Sequence, residues 1–188
     1  MFGGAGDDQL EGEDGVDALS GGAGDDALSG GAGNDILVGG DGNDILFGGA
    51  GSDLIQGGSG DDVLYGGDAT GGSGSDTFVW QANEQGSIAD PAMDTIYNFD
   101  NLTDGNSDGD ILDLRDLLQD EENNDLSDYL NFSWDGTDTT IQIDHDGVGN
   151  FESTQEIVIK GVDLTAVGTL DTDQIIDQML NNNNLLTD

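Results

Sequence analysis

The chain has 188 residues, enough for one domain or two small ones. Its 41 acidic residues face only Arg115 and Lys160, and a net charge of −39 repels nucleic acid and anionic membrane surfaces and favours cations as partners. Cysteine is absent, which excludes a disulfide framework, and no apolar run approaches the length of a membrane-spanning helix.

From Gly3 to Tyr65 a nine-residue unit repeats without a gap: GGAGDDQLE, GEDGVDALS, GGAGDDALS, GGAGNDILV, GGDGNDILF, GGAGSDLIQ and GGSGDDVLY. Five residues, GGDAT, then intervene before an eighth unit, GGSGSDTFV, at Gly71 to Val79. Position 6 is always Asp: Asp8, Asp17, Asp26, Asp35, Asp44, Asp53, Asp62 and Asp76. Position 8 is always large and apolar: Leu10, Leu19, Leu28, Leu37, Leu46, Ile55, Leu64 and Phe78. Acidic, glycine-rich composition alone describes a disordered tail. An apolar residue at fixed phase argues instead for a repeat fold, provided that a counter-ion is present. Without one, self-repulsion and the backbone entropy of 33 glycines are expected to keep the repeats unfolded.

Glycine at positions 1, 2 and 4 permits a tight turn with positive backbone torsions and exposed carbonyls. Positions 7 to 9 form a short strand, with position 8 facing one way and its neighbours the other. Turn, strand, turn, strand closes one coil, and stacked coils give two parallel sheets whose position-8 side chains meet inside. The expectation is a parallel β-roll with its turns in register along each edge. Turns two units apart then face each other with carbonyl oxygens and one Asp each, a hard oxygen cage suited to Ca²⁺ and not to soft metals. Eight units give six facing pairs, so about six ions would set about twelve positive charges against the sixteen acidic residues between Met1 and Trp80.

These units resemble the calcium-binding nonapeptides of the repeats-in-toxin (RTX) family. The resemblance implies that an ion is held by the carbonyls of positions 2 and 4 and the Asp of one turn. The turn two units on adds the carbonyls of positions 1 and 3 and its own Asp. The first site would use Gly4, Gly6 and Asp8 with Gly21, Ala23 and Asp26. The second would use Glu13, Gly15 and Asp17 with Gly30, Ala32 and Asp35, and the third Gly22, Gly24 and Asp26 with Gly39, Asp41 and Asp44. The fourth would use Gly31, Gly33 and Asp35 with Gly48, Ala50 and Asp53. The fifth would use Gly40, Gly42 and Asp44 with Gly57, Ser59 and Asp62, and the sixth Gly49, Gly51 and Asp53 with Gly71, Ser73 and Asp76. Unit 2 departs from the pattern at Glu13 and Val16, and the five-residue insertion falls on the sixth site. Asn34 and Asn43, at position 5, read as turn residues rather than ligands.

Outward positions 7 and 9 are small or polar in the early units and become apolar from unit 4: Ile36, Val38, Ile45, Phe47, Leu54, Val63 and Tyr65. Such a face is expected to be covered by the C-terminal half, or else to bind a partner. Beyond the repeats, TFVW (Thr77–Trp80) and MDTIYNF (Met93–Phe99) alternate as strands, and Trp80 and Trp134 read as packing residues. Asp104, Asn106 and Asp108 make the front half of an EF-hand-like loop, but Arg115 stands where its closing Glu belongs. Ile111–Leu118 reads as a strand turning into a short helix, and Leu126–Phe132 as a short helix leading to a strand. Asp138–Asp144 and Glu156–Val162 form an expected antiparallel pair, and between them Asp144 and Asp146, with Asn150 and Glu152, offer a further calcium loop. The lone His145 reads as a solvated residue. Thr172–Leu180 has helical spacing with Thr172 as its cap, and the final NNNNLLTD is expected to fray.

The order of these later blocks resembles the C-terminal type I secretion domain of large RTX adhesins. The fold expected is all-β dominated: a right-handed parallel β-roll over 1–80, continued by a β-sandwich-like part with short helices over 81–188. The resemblance implies a calcium-dependent folding and secretion module, exported to the cell surface or medium through an ABC transporter, its adaptor and an outer-membrane channel, and monomeric. Met1 leads straight into repeat sequence, so no N-terminal secretory signal is expected and the chain reads as the end of a longer protein. The alternatives are a ligand- or ice-binding RTX module and the tail of a secreted RTX enzyme. Catalysis by the chain itself is not expected, for it has one isolated His, no cysteine and no nucleophile elbow.

Overall fold

The computed structural model describes residues 1–67, 74–84, 86–87, 89, 91–100, 109–118, 126–145, 151–165, 170–181 and 185–187. In the repeats the strands are β1 (Phe2–Ala5), β2 (Gln9–Glu11), β3 (Ala18–Ala23), β4 (Ala27–Ala32), β5 (Ile36–Asp41), β6 (Ile45–Ala50), β7 (Leu54–Ser59) and β8 (Val63–Gly67). After them come β9 (Thr77–Val79), β10 (Ala92–Tyr97), β11 (Ile111–Asp113), β12 (Leu130–Trp134), β13 (Asp138–Ile143), β14 (Gln155–Lys160), helix α1 (Thr172–Asn181) and β15 (Leu185–Leu186). As far as β12, odd and even strands fall into separate sheets, and β13 joins the even one: β1-β3-β5-β7-β9-β11-β15, and β12-β13-β14-β10-β8-β6-β4-β2. The parallel β-roll expected from the repeats is therefore the observed architecture.

The strands are longer than expected. They run from position 7 through position 3 of the next unit, so β3 to β7 have six residues each and only positions 4 to 6 turn. The positive φ angles sit at positions 2 and 4, as at Gly22 (122°) and Gly33 (131°), and not at position 1. Position-8 residues pair directly, Leu19 with Leu37 with Ile55 in one sheet and Leu28 with Leu46 with Leu64 in the other, and all are buried. Each contributes on the order of 1.5–3 kcal/mol by leaving water.

The two sheets pass through residue 80 without a break. In β10, Ile96 pairs with Leu64, and in β11, Leu112 pairs with Phe78, both fully buried. β14 then adds in parallel to β10, and β13 and β12 follow antiparallel, as the alternation of Asp138–Asp144 and Glu156–Val162 suggested. The later part of the chain thus extends the roll edge to edge. Among the described residues, 81–84 reach the outward face of β7, where the Gln56 amide donates to Glu84 Oε1 and Gln56 Oε1 accepts the Gln81 amide N–H (3.2 Å), while Ile36, Ile45, Phe47 and Leu54 stay 39–47% exposed. Edge-to-edge growth has a simple cause: open strand edges leave backbone N–H and C=O groups unpaired, and each added strand pairs them. On the even sheet Phe47, Tyr65 and Tyr97 stack, with ring centroids 4.5 and 4.7 Å apart.

Four further expectations change. The eighth unit begins at Gly66, not Gly71: Gly67 pairs with Gly49 in unbroken register, and a Cβ on Gly66 would lie 2.5 Å from Asp76 Oδ2, the relation of position 1 to position 6 in every intact unit. The insertion therefore lies inside the eighth turn. α1 is capped by Asp171 rather than Thr172, in a reciprocal box where Gln174 N–H donates to Asp171 Oδ1 (3.0 Å) and Asp171 N–H to Gln174 Oε1 (3.1 Å). Within the final NNNNLLTD, Leu185 and Leu186 do not fray, for Leu185 is buried and pairs with Leu112, while residues 182–184 and 188 lie outside the described residues. α1 buries Ile175, Ile176 and Met179 against the 3-10 turn Leu126–Asp128 and strands β12 and β15. Residues 115–118 form a turn instead of a helix.

Candidate metal centre

Each edge of the roll carries a column of turns, and two hydrogen-bond ladders lock them. In the first, the backbone N–H of a position-6 Asp donates to Oδ1 of the Asp one coil further. Asp8 donates to Asp26 (2.7 Å), Asp17 to Asp35 (2.8 Å), Asp26 to Asp44 (2.7 Å), Asp35 to Asp53 (2.8 Å), Asp44 to Asp62 (2.8 Å) and Asp53 to Asp76 (2.9 Å). The second runs the other way through position 5. There Asn43 N–H donates to Asp25 Oδ1 (2.9 Å), Asp61 N–H to Asn43 Oδ1 (2.9 Å) and Ser52 N–H to Asn34 Oδ1 (3.1 Å). Position 5 thus carries a short side chain with an oxygen acceptor in every unit but the second, where Val16 stands, a role that treating Asn34 and Asn43 as simple turn residues missed.

The second carboxylate oxygen has a different fate. Oδ2 of Asp8, Asp26, Asp35, Asp44, Asp53 and Asp62 is buried with no hydrogen-bond partner. It lies over position 1, where a Cβ would fall 2.2 Å away at Gly21, Gly39 and Gly57, which is why that position is glycine despite its ordinary torsions. Burial without a partner disfavours the charged form. Asp44 and Asp76 are pushed up to about 6, and Asp62, with Asp94 close by as a second cause, to about 8. Asp53 is raised for the same reason.

Backbone carbonyls converge on the same gaps. Oxygens of positions 2 and 4 point forward: a Cβ on Gly22, Gly31, Gly40, Gly49 or Gly58 would sit 2.0–2.2 Å from the oxygen of Gly4, Glu13, Gly22, Gly31 or Gly40. Likewise a Cβ on Gly33, Gly42 or Gly51 would sit 1.7–2.3 Å from the oxygen of Gly15, Gly24 or Gly33. Position-1 oxygens point back, as those of Gly30, Gly48 and Gly57 do toward Gly12, Gly30 and Gly39. Position-3 oxygens also point back, for Ala23, Ala32, Asp41, Ala50 and Ser59 accept the N–H of Gly6, Gly15, Gly24, Gly33 and Gly42. Among the described residues no three carboxylates or imidazoles converge, so any cation here is held by one Asp from each turn and by carbonyls. Orphaned carboxylate oxygens ringed by hard carbonyl oxygens fit calcium.

The expected ligands of the second, fourth and fifth sites are brought together in this way, as are Gly4, Gly6, Asp8, Ala23 and Asp26 of the first and Gly22, Gly24, Asp26, Asp41 and Asp44 of the third. In unit 2, Glu13 adopts the left-handed backbone (φ 72°) that glycine takes elsewhere, and its carbonyl still points at Gly31. At the sixth site Gly49, Gly51, Asp53 and Asp76 are in place and Gly66 replaces Gly71 at position 1; Gly71 and Ser73 lie outside the described residues. Asp104, Asn106, Asp108 and Asp146 lie outside them too. Asp144 is buried, and its Oδ2 accepts the N–H of Glu152 (2.9 Å).

Two rungs were missed. Asp62 N–H donates to Asp94 Oδ1 and Asp76 N–H to Asp110 Oδ1, each at 2.9 Å, so Asp94 and Asp110 continue the two columns past the repeats. Asp94-Thr95-Ile96 and Asp110-Ile111-Leu112 keep the Asp-x-apolar phase of positions 6 to 8, and that was the legible signal. Burial pushes both carboxyls up to about 7.

Residues 2–37 and 38–70 match the family model described as RTX calcium-binding nonapeptide repeat (4 copies). The repeats are RTX calcium-binding nonapeptides. No curated protein matches the chain. Among solved structures, the chain is similar to the AlgE6R3 subunit of the Azotobacter vinelandii mannuronan C5-epimerase, at 27% identity and a TM-score of 0.52, covering 87% of this chain and 78% of that one. It is also similar to the AlgE6R2 subunit of the same enzyme, at 26% identity and a TM-score of 0.48, covering 100% and 91%. No helix among the described residues is long and apolar enough to cross a membrane.

Proposed function

We propose that this RTX module is a calcium-triggered folding device for an exported protein, passed through a type I secretion channel unfolded and folded outside as the C-terminal part of a large adhesin. The observation that carries the reading is the set of six buried Oδ2 atoms without a partner, in a chain of net charge −39. Calcium supplies the positive charge that lets those carboxylates stay ionised when buried. The chain's residues do the rest: the aspartates bridge successive coils, the glycines bring carbonyls within reach, and the position-8 residues close the core once the turns are set. At sub-micromolar cytosolic calcium, sites of extracellular affinity are empty and the chain stays threadable; at millimolar calcium, binding free energy becomes folding free energy.

Far-UV circular dichroism across a calcium titration tests the switch, with magnesium as control. A cooperative gain of β signal between about 0.1 and 1 mM calcium, and none with magnesium, is expected. A chain already folded in chelator would remove the switch. For the export step, a passenger fused ahead of the chain is expected in the medium only when a type I exporter is present, and its retention in such cells would reject that step.

A second reading rests on the similarity to AlgE6R3: a calcium-loaded module that serves a secreted polysaccharide-modifying enzyme. Calorimetry of the calcium-loaded chain with mannuronan decides it, since a measurable Kd would favour this reading over the adhesin.

A further inference from the structure

The aspartate columns continue past the repeats, but the chemistry of their outer oxygen changes. In the repeats, Oδ1 accepts a backbone N–H at Asp26, Asp35, Asp44, Asp53 and Asp62, and Oδ2 is buried without a partner at these five and at Asp8. On the next rung of the even column, Asp94 is 1% exposed and its Oδ1 accepts the Asp62 N–H as every repeat rung does. Its Oδ2, however, accepts the indole Nε1–H of Trp80 at 2.6 Å and an amide N–H of Gln155 at 2.9 Å. Both donors are buried, Trp80 at 3% and Gln155 at 1% exposure. They reach the rung from different directions. Trp80 is the first residue after the eighth unit, and Gln155 opens β14, the strand that pairs with β10.

Two oriented N–H dipoles on one carboxylate oxygen satisfy its lone pairs and stabilise its charge, the service that a cation performs on the open rungs. They also fill the space where a cation would approach that oxygen. We propose that Trp80 and Gln155 are the stop of the calcium column: they hold the outer oxygen of Asp94, which faces away from unit 7, without an ion, so no calcium lies beyond the turn of Asp94. The number of ions is then set by protein donors and not by the number of coils. Gly58 and Gly60 keep the positive φ of positions 2 and 4 in the turn of unit 7, and Asp62 Oδ2, on the side of the next turn as Asp35 and Asp44 Oδ2 are, has no protein partner, so the rung below Asp94 stays open while the one beyond it is closed.

The test counts calcium. Equilibrium dialysis of the full chain is compared with Trp80→Phe/Gln155→Leu, which removes both donors and nearly keeps their volume, with circular dichroism confirming the fold in excess calcium. The double variant is expected to bind one more ion per chain than the wild type. An unchanged count in the folded variant overturns the proposal. Should the variant not fold, the wild type decides by NMR: saturated with calcium, it is expected to show a Trp80 indole N–H that exchanges slowly with solvent, and rapid exchange there means that the donor has left Asp94 and the proposal fails. The inference rests on the calcium reading of the repeats; a wild type that binds no calcium at all would sink that reading instead.

Discussion

Two halves of one structure solve the same problem with different means. From Gly3 to Tyr65 the roll buries carboxylates whose outer oxygens have no protein partner, and it has no lysine or arginine to offer them. From Trp80 onward the same two sheets continue with the same inward apolar ladder, yet the rungs are closed by protein: Trp80 and Gln155 on Asp94, and the Asp100 N–H (2.8 Å) on Asp110. The scarce basic residues belong to this second half as well, Arg115 on Asp113 and Lys160 on Asp138. The difference teaches that protein donors can close a buried rung. Where the turn carboxylates have no protein donor, the chain itself does not offset their burial, and stability there depends on the surroundings.

Protons should partly replace the ion, and this is the largest effect expected. With folded-state values of about 6 for Asp44 and Asp76 and about 8 for Asp62, against 3.8 for the free group, the folded chain without calcium binds more protons than the unfolded one between about pH 4 and pH 8. Stability in chelator therefore falls as pH rises through that window and recovers as it drops. Acidifying the chelated chain from pH 8 to about 4.5 is expected to raise the far-UV β signal, whereas calcium-loaded chain should lose ions over the same descent. A chelated chain equally unstructured at both pH values would mean that charge burial is not what keeps the repeats unfolded.

A core substitution separates packing from charge. Leu46→Ala removes a fully buried position-8 side chain and should cost about 2–5 kcal/mol in urea unfolding at saturating calcium, with the number of bound ions unchanged. Asp44→Asn keeps an oxygen for the Asp26 N–H but places an amide where the orphaned Oδ2 lies. It should cost less at saturation, about 1.5–3 kcal/mol, while raising the calcium midpoint by about tenfold. If both variants shifted the calcium midpoint equally, the contrast between a common core and a special set of rungs would collapse into a single stability effect.

Much of this was legible because the repeat carries its own phase. Invariant Asp at position 6 and invariant bulk at position 8 were enough to place the sheets, the core and the facing turns. Reading failed where one residue had two explanations or where partners were remote. Position-1 glycine looked like a turn residue, yet its role is to make room for Asp Oδ2. The GG pair at Gly66 looked like spacer because a second GG follows at Gly71, and only the register with Gly49 decides between them. Gln155 closes a rung 61 residues away, and nothing local to it announces a partner. Thr172 was the commoner capping residue type, but Gln174 three residues after Asp171 completes the reciprocal box. The tail of NNNNLLTD looked polar enough to fray, while Leu185 had an open strand edge waiting at β11.

The smallest effect sits at the one repeat that departs from the pattern. Glu13 occupies position 2 with φ 72°, the backbone shape that glycine takes at every other described position 2 of the roll from Gly4 to Gly58. A non-glycine residue held there is strained by roughly 1–2 kcal/mol, and glycine relieves this while losing part of the gain to its greater freedom when unfolded. Its side chain is exposed, so truncation removes no buried contact, and the carbonyl aimed at Gly31 stays where it is. Glu13→Gly is therefore expected to stabilise the calcium-loaded chain by about 1 kcal/mol or less, read as a higher urea midpoint with an unchanged slope. The converse at a regular rung, Gly22→Ala, would push a Cβ to 2.2 Å from the Gly4 oxygen and should do the opposite, raising the calcium requirement as it destabilises. A neutral Glu13→Gly alongside a harmful Gly22→Ala would show that unit 2 relaxes its turn in solution, so that the first full-strength rung of its column starts at Asp35.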